Sequence, residues 1–114
     1  FFDKAIEAYQ VVLGLDSNDY NANYNTGVLY YNKGVNKIKS LDPEAPIPII
    51  VGTQDECVVL FKKALPYMLK AYELNSRRRE VLIGLSGIYF SLNEIDKSNY
   101  YNKLLEELDN GNND

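Results

Sequence analysis

Histidine and tryptophan are both missing from the chain, and cysteine and methionine occur once each, as Cys57 and Met68. Without histidine, the commonest general base and the commonest metal ligand are lost together. A lone cysteine excludes an internal disulfide and says little about compartment. Positive charge is scarce too: the net charge is -4 and the pI about 4.8, whereas nucleic-acid-binding domains usually present a basic patch that displaces counterions. Nucleic acid is therefore not an expected partner. No apolar run approaches the roughly 18 residues that a membrane-spanning helix needs, so no membrane insertion is expected. The glycines are dispersed rather than gathered in a phosphate-binding loop, and the acidic residues stand singly or as the pair Glu106 and Glu107. The serines lack a histidine to activate them, and Cys57 lies on an apolar helical face, where an inert buried thiol is expected. Neither catalysis nor a metal nor a cofactor is expected.

What the chain does have is helical periodicity. Its 114 residues, 46% hydrophobic and 25% charged, suit one globular domain with a single core. In Tyr20–Gly34, YNANYNTGVLYYNKG, Tyr20, Tyr24, Val28 and Tyr31 form one helical stripe, and Ala22, Leu29 and Tyr30 serve a second face. Such a helix expects neighbours on both sides. Gly27 in its middle costs about 1 kcal/mol relative to alanine, which predicts an offsetting close approach of a neighbouring backbone.

The pattern returns 59 residues later, where Leu82, Leu85, Ser86 and Tyr89 repeat the spacing of Asn23, Thr26, Gly27 and Tyr30. Ala5, Tyr9, Val12 and Ser17 reappear at the same offset as Ala64, Met68, Ala71 and Ser76. Two phrases sharing one offset mark an internal repeat. On these residues the chain resembles the tetratricopeptide repeat (TPR) family, whose units carry W-x2-L-G-x2-Y on a first helix and A-x3-F, then P, on a second. Gly27 with Tyr30, and Leu85, Ser86 with Tyr89, match first helices; Ala5 with Tyr9, and Ala64 with Met68, match second helices. Asn23 and Leu82 stand where tryptophan is usual, Ser17 and Ser76 replace the proline, and Asn102 replaces the last aromatic. From Ala64 to Ser98 the spacing is 34, the family period, so the earlier unit is 25 residues longer than its successor.

The resemblance implies an all-α fold: a right-handed array of antiparallel helix hairpins, about five helices in all. Residues 1–14 are the second helix of a truncated repeat, 20–74 an enlarged repeat with its insert at about 35–59, and 79–108 the final repeat. The single helical domain spans 1–108, and the polar residues 109–114 are expected to be a disordered tail. The chain starts without methionine and inside a helix, so it reads as part of a longer product, which leaves localisation open.

In order along the chain, the first helix turns Phe2, Ile6, Tyr9 and Leu13 inward and closes at Gly14. The helix from about Tyr20 runs to Ser40 before Pro43, with Gly34 inside it as a potential bend. Leu41–Gly52, LDPEAPIPIIVG, reads as an ordered extended loop, after which Thr53 and Glu56 form a capping box for the next helix. That helix buries Cys57, Leu60, Phe61, Ala64, Met68, Ala71 and Tyr72 and is kinked or divided by Pro66. Arg77, Arg78 and Arg79 oppose the dipole of the following helix; a solvated turn paired with Glu73 and Glu80 is favoured over an anion site. Asn93 and Asp96 resemble a capping pair for a last helix with Ile95, Tyr101, Leu104, Leu105 and Leu108 inward.

In the resembled family, first helices line a concave groove that grips peptides or helices of other proteins. Carried onto matching positions, the groove residues are Asn21, Tyr24, Asn25, Val28 and Tyr31, with Ile83, Gly87 and Phe90. The resemblance thus implies a protein-interaction module, an adaptor or scaffold that binds a protein or peptide. Two points stay open. Tyr24, Tyr31 and Phe90 either line the groove or pack on the insert or last helix; Ile47, Ile49, Ile50 and Val51 either cap a long hairpin or cover the groove or a partner. The alternative function is assembly, with Phe1, Phe2 and Ile6 of the unpaired first helix forming a homo-oligomer or stacking on a neighbouring domain.

Overall fold

Five helices, packed as sequential antiparallel pairs, account for nearly all of residues 1–111, which a computed structural model describes; among these residues there is no strand. They are α1 (Phe2–Leu15), α2 (Tyr20–Lys39), α3 (Ile47–Leu74), α4 (Arg79–Ser91) and α5 (Ile95–Gly111). Helix α2 packs chiefly on α3 and α4 on α5, α3 joins the two hairpins through α4, and α2 meets α4 only narrowly. The result is a slab of 51 × 34 × 18 Å.

The core lies between α3 and α4. Ala64, Met68 and Ala71 meet Val81, Leu85, Ile88 and Tyr89, all buried, with Tyr24, Val28 and Tyr31 of α2 packed against the cluster. Cys57, Leu60 and Phe61 extend the buried stripe of α3, while Tyr72 is half-buried at its edge. Gly27 brings α2 onto α3 as its position predicts: a Cβ built there would sit 3.1 Å from Met68 Cε and 3.4 Å from the Ala64 carbonyl oxygen and the Met68 nitrogen. The same methionine is pressed from the other side by Gly84, where a Cβ would lie 2.8 Å from Met68 Cε. Met68 is thus a wedge between two glycines. Asn23, only 4% exposed where tryptophan is usual in the resembled family, is satisfied by donating from Nδ2 to the Ser17 and Asp19 carbonyls at 3.1 and 2.9 Å. Asp19 in turn caps α2 by accepting from the Ala22 N–H at 2.8 Å.

Several boundaries differ from the sequence expectation. Helix α1 runs through Gly14 to Leu15, because nothing at Gly14 calls for a left-handed turn: no glycine has positive φ. The extended loop over 41–52 is not present; α3 begins at Ile47, so Thr53 and Glu56 lie within it rather than capping it. Pro46 is its N-cap residue and Pro48 falls in the first turn, where N–H groups have no intrahelical partner to lose. Pro66 does not divide α3, which is continuous to Leu74, and both Pro66 and the Lys62 whose carbonyl it cannot bond are exposed, so solvent can serve that carbonyl. Asn93 closes α4 instead of opening α5. At φ 61° it takes the left-handed conformation, with the Glu94 N–H bonded to the Tyr89 carbonyl at 2.8 Å and the Asn93 N–H to that of Phe90 at 3.0 Å, a Schellman closure.

Ile95 is 42% exposed rather than inward. Helix α5 also continues past the expected end at Leu108: Asp109 to Gly111 are helical, and of the expected disordered tail only residues 112–114 remain, which lie outside the described residues. Within the extra turn Asp109 takes the Arg79 guanidinium in a two-pronged pair at 2.7 and 3.1 Å.

Candidate functional site

Along α2, Asn21, Tyr24, Val28 and Tyr31 recur at helical spacing on one face, with Asn25 beside them; along α4, Ile83, Gly87 and Phe90 do the same. The fold brings the two rows into contact at their tyrosines. The Tyr31 hydroxyl lies across Gly87, 3.0 Å from where a Cβ would stand, and its ring meets Phe61 with centroids 5.5 Å apart. Any larger side chain at position 87 would displace it. At the other end Tyr20 stacks on Tyr24, centroids 6.0 Å apart, and donates its hydroxyl to Glu80 at 3.2 Å. Arg78 covers the Tyr20 ring at 5.1 Å and pairs with Glu80 at 2.6 Å.

This environment sets the protonation of the face. Burial, then the Glu80 carboxylate, pushes the Tyr20 phenol up to about 12 and raises that of Tyr24. Both stay protonated donors at neutral pH. The Arg78 guanidinium holds Glu80 below its ordinary range.

The remaining residues of the face are open to solvent. Ile83 is 50% and Phe90 65% exposed, Asn21 is exposed, and Asn25, Val28 and Tyr24 are half-buried. Tyr24, Val28 and Tyr31 therefore do two things, packing on the core with one side and presenting an edge with the other. Ile47, Ile49 and Val51 do not fold back over them, since they occupy the exposed first turns of α3.

None of these eight residues lines the cavity beside Phe2. A space of about 660 Å³ lies on the opposite flank, bounded by Phe1 and Phe2, Leu29, Lys33 and Asn36 of α2, and Leu41. Lys33 Nζ sits 4.0 Å above the Phe2 ring there, and Lys37 pairs with Glu56 at 3.0 Å. Of the three self-association candidates only Phe1 is exposed: Phe2 meets Tyr30 edge-on at 5.5 Å, and Ile6 is half-buried. The exposed large apolar residues of α1 itself are Val11, Val12 and Leu15, on a helix without a single buried residue.

Two of the three arginines of the run form ion pairs, Arg78 with Glu80 and Arg79 with Asp109, while Glu73 pairs with Lys70 rather than with the run. Cys57 is 2% exposed, donates to the Gly34 carbonyl at 3.3 Å, and has its pKa raised by burial, so its thiolate is disfavoured. Among the described residues no cluster of His, Cys, Asp or Glu is placed to hold a metal, and no helix is long and apolar enough to cross a membrane. Tyr20 and its Arg78–Glu80 partners were not singled out as site residues by sequence, although Tyr20 stands one turn before Tyr24 on the same stripe.

The fold defines an all-α protein of stacked helix hairpins. Compared with known proteins, the chain matches no family model and is significantly similar to no curated protein.

Proposed function

We propose that the chain is a non-catalytic protein-interaction module built as a TPR-like right-handed array, with an enlarged central hairpin, that binds a peptide or helix of a partner protein along the α2–α4 face. The array reading is supported by one repeated crossing. Gly27 meets α3 at Ala64 and Met68; Ser86, 59 residues on, meets α5 at Ser98 and Asn102, each 34 residues beyond its counterpart. Ser86 Oγ donates to Asn102 Oδ1 at 2.7 Å, and Ser98 Oγ donates to the Ser86 carbonyl at 2.9 Å. Two different chemistries thus occupy one register.

The binding reading rests on a single observation: Ile83 and Phe90 are exposed on the same row as Gly87, beside a fixed tyrosine edge. Large apolar and aromatic side chains held by a rigid frame are what interfaces use as anchors. Selection of peptides from a random displayed library tests it. Binders that lose affinity at least tenfold for Ile83→Asp and Phe90→Asp, both folded, support the reading; binders indifferent to both substitutions refute it.

Assembly through α1 is the second reading, favoured by the exposure of Phe1, Val11 and Leu15 at 102%, 65% and 87%. Sedimentation equilibrium decides it. A dimer that Val11→Lys with Leu15→Lys converts to monomer supports assembly, and a monomer at all concentrations removes it.

A further inference from the structure

Helix α1 carries two stripes. Phe2, Ile6, Tyr9 and Leu13 turn inward and are half-buried, while Lys4, Ala8, Val11 and Leu15, three or four residues apart on the opposite side, are all exposed. The helix packs along α2 and reaches α3 through Gln10, which donates from Nε2 to the Tyr67 hydroxyl at 3.1 Å. The outer stripe is not the surface that a further hairpin stacked in the same register would cover. At the offset of 59 residues, the side chains by which α3 meets α2 and α4, Phe61, Ala64, Met68 and Ala71, correspond to Phe2, Ala5, Tyr9 and Val12. The outer stripe corresponds instead to Lys63, Tyr67, Lys70 and Leu74, of which Lys63 is exposed and Lys70 pairs with Glu73. Where α3 keeps Tyr67 and Lys70, α1 has Ala8 and Val11, so its apolar surface there calls for a neighbour of another kind.

Its charges say which neighbour. Lys4 stands in the first turn of α1 and Asp16 is its C-cap residue, so each lies at the end of the helix whose dipole disfavours it. Neither is in an ion pair among the described residues, and the Asp16 carboxylate accepts only from the Asn18 N–H. Two α1 helices laid antiparallel about a two-fold axis correct both ends at once. Ala8 of one copy then meets Val11 of the other, the small residue letting the backbones approach, and Lys4 meets Leu15 and Asp16, every contact being made twice. On the flank, Glu7 comes opposite Gly14 and meets no like charge. Parallel packing would instead set Lys4 against Lys4 and align the two dipoles.

We propose that α1 pairs antiparallel with α1 of a second copy across the stripe of Lys4, Ala8, Val11 and Leu15, with Lys4 of each chain set against Asp16 of the other. The inference rests on the assembly reading above and adds to it the direction of the pair and the charges that fix it. One helix about 21 Å long from each copy is a small interface, so the dimer is a weak one.

The test is sedimentation equilibrium of the 114-residue chain up to about 1 mM, with charge-reversed variants whose helix content is checked by circular dichroism. Lys4→Asp and Asp16→Lys are each expected to weaken the dimer about fivefold or more, since each turns two attractive contacts into two repulsive ones. Lys4→Asp together with Asp16→Lys is expected to restore it to within about twofold. Lys4→Asp suits the dipole of its own helix, so its effect on the dimer cannot be put down to unfolding of α1. Oxidation of introduced cysteines reads the direction. Lys4→Cys chains mixed with Leu15→Cys chains are expected to give the mixed disulfide, whereas Leu15→Cys chains alone would hold their cysteines about 16 Å apart, too far to bond. A dimer that the charge reversals do not weaken or the double exchange does not restore, or Leu15→Cys chains that join to each other, overturns the antiparallel pairing and leaves the assembly reading standing. A chain still monomeric at about 1 mM overturns both.

Discussion

Gly34 and Gly52 are both interior to helices, yet exchanging each for alanine is predicted to move stability in opposite directions. In a helix interior, alanine is worth about 1 kcal/mol over glycine. At Gly52, on α3, a Cβ would meet nothing within 4 Å, so most of that gain is kept. At Gly34, on α2, a Cβ would stand 2.6 Å from Phe61 Cε1 and 3.0 Å from Cζ. Phe61 is a flat ring, 2% exposed, so it has no room to swing away. Overpacking of this kind costs typically 1–3 kcal/mol, which leaves Gly34→Ala destabilising by up to about 2 kcal/mol after the propensity gain. With roughly 3–6 °C of melting temperature per kcal/mol at this size, Gly34→Ala is expected to melt up to about 12 °C lower and Gly52→Ala about 2–6 °C higher. Thermal and urea unfolding followed by far-UV circular dichroism measure both. Trimming the ring with Phe61→Leu supplies the internal control, since the cost of Gly34→Ala should then shrink by more than about 0.5 kcal/mol. A rise in melting temperature for Gly34→Ala matching that of Gly52→Ala would refute the claimed contact. No rise for Gly52→Ala would return that residue to a loop.

Other outcomes follow from the same geometry. Gly27→Leu drives side-chain atoms toward the α3 backbone at Ala64 and Met68 and is expected to cost roughly 1–3 kcal/mol in urea unfolding, an unchanged midpoint arguing against close pairing. Tyr20 and Tyr101 are raised from 10.0 to about 12, chiefly by burial; above pH 10 the unfolded chain ionises phenols that the fold keeps protonated, so stability is full below pH 10 and falls as pH climbs to about 12. Urea midpoints at pH 9, 10 and 11 together with tyrosinate absorbance check this, and Tyr101→Phe should flatten the decline. The buried Cys57 thiol is expected to react with a disulfide reagent only as fast as the protein opens, and at once in denaturant; instant reaction of the native chain contradicts its placement.

The features legible in sequence are those set by periodicity and local sterics. The inward faces of α2, α3 and α4, the buried stripe from Cys57 to Ala71, and the close approach at Gly27 all follow from helical spacing and from the cost of an interior glycine. Harder to read were features that depend on where a residue sits within its helix. Pro46 and Pro48 look like breakers but stand where a helix start loses nothing by them, and Asn93 looks like an N-cap but closes the preceding helix in a left-handed turn. Long-range pairing was invisible: Arg79 and Asp109 are 30 residues apart, and nothing local marks them as partners. For the candidate site, sequence revealed the stripe but not its depth. That Tyr31 lies over Gly87 depends on packing between α2 and α4, which are not adjacent in the chain, and that Phe2 and Leu29 border a cavity on the other flank depends on how α1 packs on α2.

The long hairpin also gives Gly34 a packing role. Gly27 and Gly34 are seven residues apart, close to two helical turns, and so lie on one face of α2. Their partners on the antiparallel α3 step back by the same seven: Ala64 and Met68 for the first glycine, Cys57 and Phe61 for the second. The extension beyond Gly27 thus repeats the crossing it started from, with a small residue on α2 set against a pair four apart on α3. Seven-residue periodicity is what lets two helices stay in contact over many turns, which a hairpin with a 28-residue arm requires. Lengthening both arms along an existing seam needs no new packing solution, only a small residue every second turn of α2. Gly34 supplies it, with its carbonyl taking the Cys57 thiol at 3.3 Å, so the extra residues add to the hairpin without disturbing the register that its shorter successor shares.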